Sequence, residues 1–261
     1  MTVFQPVYHA RTADEVAHQI ESLILQGVLR SGDQLPGERE LAQETGVSRP
    51  TVRDAIKKLE GMGILEIRHG GGTFVANVIG TVFSPQISAL LGTHLNATHD
   101  YLEYRREIET IAAQFAALRA TESDLELFDA LMKRMEAAFH ADDFELEARV
   151  DIEFHSMIGE MAHNLVLLHT LRSCYQLLSE GVFQNRNRLY QTAGGRMELY
   201  GQHRAIHDAI SRRDPESAAR AARDHLDYVI AATREMELRQ DREKVSELRL
   251  AKHMTNANRH T

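Results

Sequence analysis

Apolar residues Val16, Ile20, Leu23, Ile24 and Val28 recur every three or four positions behind Thr12-Ala-Asp-Glu15, which has the form of a capping box. The pattern predicts a first helix over about 12–28, ended by Ser31-Gly32-Asp33. Leu35-Pro36-Gly37 introduces a short second helix, Glu38 to Thr45. Gly46-Val47 is a tight break. Ser48 is a good N-cap for a third helix reaching about Met62, and Pro50 is tolerated in its first turn. The period then shortens. Residues 64–68 read as a strand, His69-Gly70-Gly71-Gly72 as a turn, and Thr73-Phe74-Val75 as the return strand.

Residues 77–98 carry Gly80, Ser84-Pro85 and Gly92 with little periodicity, and read as a linker with room for a short helix. From 99 onward the period is helical. Tyr101, Tyr104, Ile108, Ile111, Phe115 and Leu118 form one expected core stripe, and Leu125, Phe128, Leu131, Met132 and Met135 a second. Further helices are expected at about 143–162, 165–190, 196–212 and 215–239, separated by Asn164, Ala193-Gly194-Gly195 and Arg213-Asp214-Pro215. Polar, mixed-charge residues 240–261 read as a frayed or disordered tail. The expected fold is mainly α. A winged helix-turn-helix occupies 10–76 and an all-α bundle 99–239, joined by the 77–98 linker.

Composition narrows the picture. Of 261 residues, 43% are hydrophobic and 26% charged, ordinary for a globular protein of two domains. The one cysteine, Cys174, allows no internal disulfide and lies in an apolar helical stretch, as a buried thiol would. The first residues have no basic-then-apolar secretion pattern, and no apolar run reaches the roughly 18 residues of a membrane span. The expectation is a cytoplasmic protein. The net charge of −8 argues against a non-specific nucleic-acid coat.

Two helices joined by a glycine break, the second rich in arginine at its start, form a helix-turn-helix arrangement, whose second helix enters the major groove of duplex DNA by its N-terminal residues. Here those are Ser48, Arg49, Pro50, Thr51 and Arg53. Arg49 and Arg53 share one helix face. Arginine can pair with guanine in bidentate fashion, and Ser48 or Thr51 can bond phosphates or bases. Lys57 and Lys58 could reach backbone phosphate, and the glycine-rich tip His69-Gly70 is small enough for a minor groove. Residues 11–76 hold eight basic against ten acidic side chains, so binding depends on placed arginines. Arg39, Arg49, Arg53 and Arg68 are expected to converge, with Asp14, Glu15 and Glu21 away from the reading edge.

Three runs carry a family resemblance: Leu35-Pro36-Gly37-Glu38-Arg39-Glu40-Leu41-Ala42, Gly46-Val47-Ser48-Arg49-Pro50-Thr51-Val52-Arg53-Asp54-Ala55, and Gly70-Gly71-Gly72-Thr73-Phe74-Val75. They resemble the GntR family of bacterial transcription regulators. The resemblance implies DNA contact at Arg39, Arg49, Arg53, His69 and Gly70. Gly37 departs from the serine often found there, but glycine can also stand at an N-cap.

In the second domain Asp151 and His155 are one helical turn apart, about 6 Å along the axis, and project from one face. His203 and His225 lie on later helices, and His207 follows His203 by one turn as a rival ligand. Three imidazoles and a carboxylate suit zinc, nickel, manganese or iron, but spacing among 14 histidines is weak grounds by itself. Glu103-Tyr104-Arg105-Arg106-Glu107-Ile108-Glu109, Asp151-Ile152-Glu153-Phe154-His155, Asn164, His203-Arg204-Ala205-Ile206 and Ala221-Ala222-Arg223-Asp224-His225-Leu226 resemble the FCD ligand-binding domain of the FadR subfamily. The resemblance implies a divalent metal, zinc first, at Asp151, His155, His203 and His225, and argues against a fatty-acyl-CoA effector.

Open coordination positions would suit a small hydroxy or keto acid. The run 181–190 and the order of the second half resemble regulators responsive to lactate, glycolate or pyruvate. Arg105 is a candidate effector contact or an ion-pair partner of Glu109, and Asn164 a candidate effector contact or a helix cap. Arg186 and Arg188 line the pocket or are solvated helix charges. The function expected is a non-enzymatic repressor: a homodimer on palindromic operator DNA, controlled by the acid. Rival readings are a metal-dependent hydrolase or phosphohydrolase, for which His207-Asp208 supplies an HD dipeptide, and a regulator whose metal is purely structural.

Overall fold

The computed structural model describes residues 10–68, 70–77, 95–179 and 194–257. His69, Arg186 and Arg188 lie outside the described residues, as do most of the expected linker and the end of the expected 165–190 helix. The chain divides into two compact units, residues 1–82 and 83–261, so the boundary falls inside the expected linker.

In the first unit α1 is Ala10–Leu25, α2 Glu38–Thr45 and α3 Arg49–Gly61, followed by β1 (Leu65–Arg68) and β2 (Gly72–Val75). The strands pair antiparallel with Leu65 opposite Val75 and Arg68 opposite Gly72. Gly46 ends α2 at φ 70°, a left-handed conformation that costs a side-chain-bearing residue energy, and its N–H bonds Ala42 O. Ser48 caps α3: Thr51 N–H donates to its Oγ at 3.4 Å, and the two hydroxyls lie 2.8 Å apart. The expected apolar face of α3 is buried at Val52, Ala55, Ile56 and Leu59, with Val47 partly buried beside it. Val16, Ile20 and Ile24 of α1 and Leu65 and Val75 of the hairpin close the same core.

In the second unit α4 is Leu95–Arg119, α5 Glu122–His140, α6 Phe144–Met161, α7 Leu165–Ser179, α8 Gly195–Ser211 and α9 Pro215–Ala257. Local chemistry fixes three of the starts. Thr121 and Asp124 form a reciprocal capping box, Asp143 accepts from Leu146 N–H at 2.9 Å, and Asp214 accepts from Ser217 N–H at 3.0 Å before Pro215. At the centre, Phe128 of α5 stacks on Phe154 of α6 with centroids 4.9 Å apart, surrounded by Leu171, Ile206 and Ile210.

Two expectations change. The stripe proposed for α4 is only in part its core face: Tyr101 is buried and Ile108 packs against the core. Tyr104 (44%), Ile111 (43%) and Leu118 (59%) are exposed, while Ala112, Ala113, Ala116 and Ala117 are buried together with Arg105 and Glu109. Alanines allow close approach of neighbouring helices, so α4 buries this small face and leaves Tyr104, Ile111 and Leu118 outward, while Tyr101 and Leu102 near its start are buried. The tail also differs: α9 continues to Ala257. Residues 240–252 are rich in Glu, Lys, Arg and Leu, all strong helix formers, so polarity there marks an exposed helix rather than a frayed end.

Candidate functional site

Arg49 and Arg53 emerge from the first turns of α3 on one side, both exposed, and meet a carboxylate missed in the sequence. Arg53 Nε donates to Glu38 Oε1 at 3.0 Å and its Nη2 to Oε2 at 2.7 Å, while Arg49 Nη2 lies 3.8 Å from Oε2. The hydrogen bond from Arg53 holds the Glu38 carboxyl below its usual range. Glu38 is the first residue of α2, and the helix-turn-helix crossing brings that end against α3. Its position directly after Gly37 was the available signal. Arg39 is exposed on α2 and Gly70 exposed at the hairpin tip.

Two further basic residues are held elsewhere. Arg68 bonds Glu66 and lies over the Phe74 ring, 4.1 Å from its centroid. Lys58 Nζ donates to Asp14 Oδ1 at 2.8 Å, so this lysine reaches back to α1. Gln34 Nε2 donates to Gly71 O at 2.9 Å and anchors the hairpin turn. Gly72 sits at φ 105°, a conformation that strains a residue with a side chain, and a Cβ there would also displace the Gln34 amide, whose Nε2 would be 2.6 Å away.

The second unit brings four predicted residues together: Asp151 and His155 from α6, His203 from α8 and His225 from α9, each 2–4% exposed. One donor nitrogen from each imidazole lies within 4.8 Å of the others. His203 Nε2 is 3.0 Å from Asp151 Oδ1 and 3.4 Å from His155 Nε2, and His155 Nε2 is 3.7 Å from the same carboxylate oxygen. A separation of 3.4 Å is long for an N–H···N hydrogen bond. Two nitrogens each about 2.0–2.1 Å from a zinc ion at the tetrahedral angle stand about 3.3–3.4 Å apart, so the pair has the spacing of a ligand edge. Burial of three imidazoles and a carboxylate in one spot is costly without a shared cation. The donor set fits a divalent metal.

Outside that set lies Glu109, which the sequence offered only as an ion-pair partner of Arg105. Glu109 Oε2 is 2.8 Å from His155 Nδ1, an ionic contact off the N–H axis, and Glu109 Oε1 accepts from Arg105 Nε at 2.6 Å. Burial pushes the Glu109 carboxyl up, but the Arg105 guanidinium and the His155 imidazole outweigh it and hold it at about 2. Arg105 is thus an ion-pair partner of Glu109, flanked by the Tyr101 and Tyr175 rings. His225 Nδ1 lies 3.0 Å from Gln202 Oε1, one residue before His203. Asn164 caps α7, its Oδ1 accepting from Leu167 N–H at 3.1 Å, so that oxygen is occupied. His207 falls outside the cluster: its Nε2 is 2.7 Å from Asp129 and its ring packs on Phe128. Cys174 is buried, and burial pushes its thiol up to about 11, so it is unreactive at neutral pH.

Residues 12–75 match the model of the bacterial regulatory proteins of the gntR family, and residues 100–228 that of the FCD domain. A protein of Escherichia coli (strain K12) named for regulation of an L-lactate dehydrogenase operon is 37% identical over 226 residues, covering 84% of this chain and 85% of that one. The chain belongs to the GntR family. The Glc operon transcriptional activator of the same organism is a further relative, 34% identical over 85% of this chain and 89% of that one. The solved structure of a Streptococcus agalactiae GntR protein superposes with a TM-score of 0.53 at 28% identity, covering 84% of this chain and 99% of that one. This GntR protein is a transcription regulator with a DNA-binding helix-turn-helix and an FCD domain, and not an enzyme. Its His207-Asp208 pair is therefore not the mark of a phosphohydrolase. No helix among the described residues is long and apolar enough to cross a membrane.

Proposed function

We propose that this regulator binds a palindromic operator as a homodimer and that a small hydroxy or keto acid, such as lactate, glycolate or pyruvate, controls the binding at a metal centre. The observation that carries the reading is the buried cluster of Asp151, His155, His203 and His225, with two imidazole nitrogens at a zinc-like 3.4 Å. Zinc is the first candidate, with nickel, manganese or iron as others of fitting chemistry. Four protein ligands leave positions that a carboxylate and a neighbouring oxygen can chelate. Relatives named for L-lactate dehydrogenase and Glc operons support that class of acid. Arg105 spends its Nε on Glu109, and its Nη groups are suited to an effector carboxylate.

At the DNA end, Ser48, Arg49, Thr51 and Arg53 of α3 would enter the major groove, with Arg39 and the His69-Gly70 wing beside them. Two such heads about 34–36 Å apart match one helical turn of DNA. The acid's leverage on operator affinity is its differential affinity for two arrangements of the bundle, commonly about 1–3 kcal/mol. Repression relieved by the acid is the proposed sign.

Calorimetric titration of zinc-loaded and metal-stripped protein with L-lactate, glycolate and pyruvate tests the effector site. Binding to the loaded form alone is expected; equal binding to both forms would leave the metal a structural role. At the reading edge, Arg53→Ala should weaken specific binding by about 1–3 kcal/mol and lower the ratio of specific to non-specific affinity in gel-shift titrations. An unchanged ratio would exclude base reading by Arg53.

A further inference from the structure

A helix that supplies no member of the histidine cluster, α4, nevertheless reaches it. Glu109 and Arg105 stand one turn apart on α4, both about 5% exposed or less, and Glu109 meets the His155 ring on the side away from the cluster. His155 turns Nε2 toward Asp151 and His203 and Nδ1 toward Glu109. A carboxylate behind a ligating imidazole keeps the proton on the far nitrogen, leaves the near lone pair for the metal and makes the ring a stronger donor. Behind His225 the group at Nδ1 is neutral: Gln202 Oε1, at 3.0 Å. Glu109 and Gln202 thus differ in charge.

We propose that Glu109 is a positioning residue of the metal centre, holding His155 with its proton on Nδ1 and making it a stronger donor than a neutral acceptor in the same place would. Arg105 fixes the Glu109 carboxylate through its other oxygen and so ties the centre to α4. The inference rests on the metal reading given above.

The test uses the purified full chain with no acid added. Glu109→Gln keeps the shape and removes the charge. Its zinc affinity, measured by competition with a chromophoric chelator, should fall ten- to a hundredfold. The visible absorption bands of the cobalt-loaded variant should move from those of the wild type, a signature that a merely structural change remote from the ion does not produce. Gln202→Leu should cost less zinc affinity than Glu109→Gln. Since removing the Glu109 charge alone strands Arg105, a second variant, Arg105→Met with Glu109→Gln, removes both charges at once. The same drop and band shift are expected of it once circular dichroism shows native helix content. A folded variant with wild-type zinc affinity and an unchanged cobalt spectrum overturns the role of Glu109 alone. A wild type that takes up neither zinc nor cobalt overturns the metal reading, and this inference with it.

Discussion

His203→Ala should abolish tight zinc binding and, with it, the zinc-dependent rise in the melting temperature of the second unit. His203 is 2% exposed and central to the cluster, its ring centroid 4.6 Å from that of His225 and 5.3 Å from that of His155. Its Nε2 lies 3.0 Å from Asp151 Oδ1 and 3.4 Å from His155 Nε2, so deleting it removes a corner that the donor set shares. In the wild type, an ion that binds the folded state alone adds about 4 kcal/mol at a free concentration a thousandfold above its Kd. For a unit of this size that is roughly 8–16 °C in Tm. Calorimetric scans of zinc-loaded protein before and after a chelator should show the difference in the wild type and none in the variant. A variant that keeps the full shift would mean that zinc binds elsewhere.

Phe154→Ala should destabilise the second unit by about 3–5 kcal/mol, the usual cost of emptying a fully enclosed aromatic position. Phe154 has no exposed surface and stacks on Phe128 at 4.9 Å. It also meets the His203 ring edge-on at 4.9 Å and the His155 ring at 5.6 Å, so the hole would open beside the histidines. Zinc affinity should therefore fall along with stability. Ile111→Ala is the control. Ile111 is as apolar but 43% exposed on the outward face of α4, and its loss should stay within about 0.5 kcal/mol. Chemical denaturation of the three proteins orders them. Equal costs for Phe154 and Ile111 would contradict the inward direction of the alanine face.

The contrast between those two residues indicates where the sequence was a poor guide. Hydropathy assigns Ile111 to the core and Arg105 and Glu109 to the surface, and the structure reverses all three. A buried ion pair has the pattern of a solvated one, because periodicity sees residue type and not the partner. Alanine faces are similarly weak in hydropathy although they pack closest. The same blindness hid Glu38, which looked like one more surface acid and in fact binds Arg53 across the helix-turn-helix.

What the sequence by itself determined is what local chemistry sets. A glycine with positive φ, a serine cap and a three-to-four apolar period produce the helix-turn-helix and its hairpin. One helical turn puts Asp151 and His155 on the same face whatever surrounds them. The family resemblance then marked His203 and His225 as their companions. Only the tertiary structure decided that these four converge while His207 does not, and that Glu109 and Gln202 stand behind them. Those relations join residues that are distant along the chain. They depend on which helix faces pack together, and no short-range pattern carries that information.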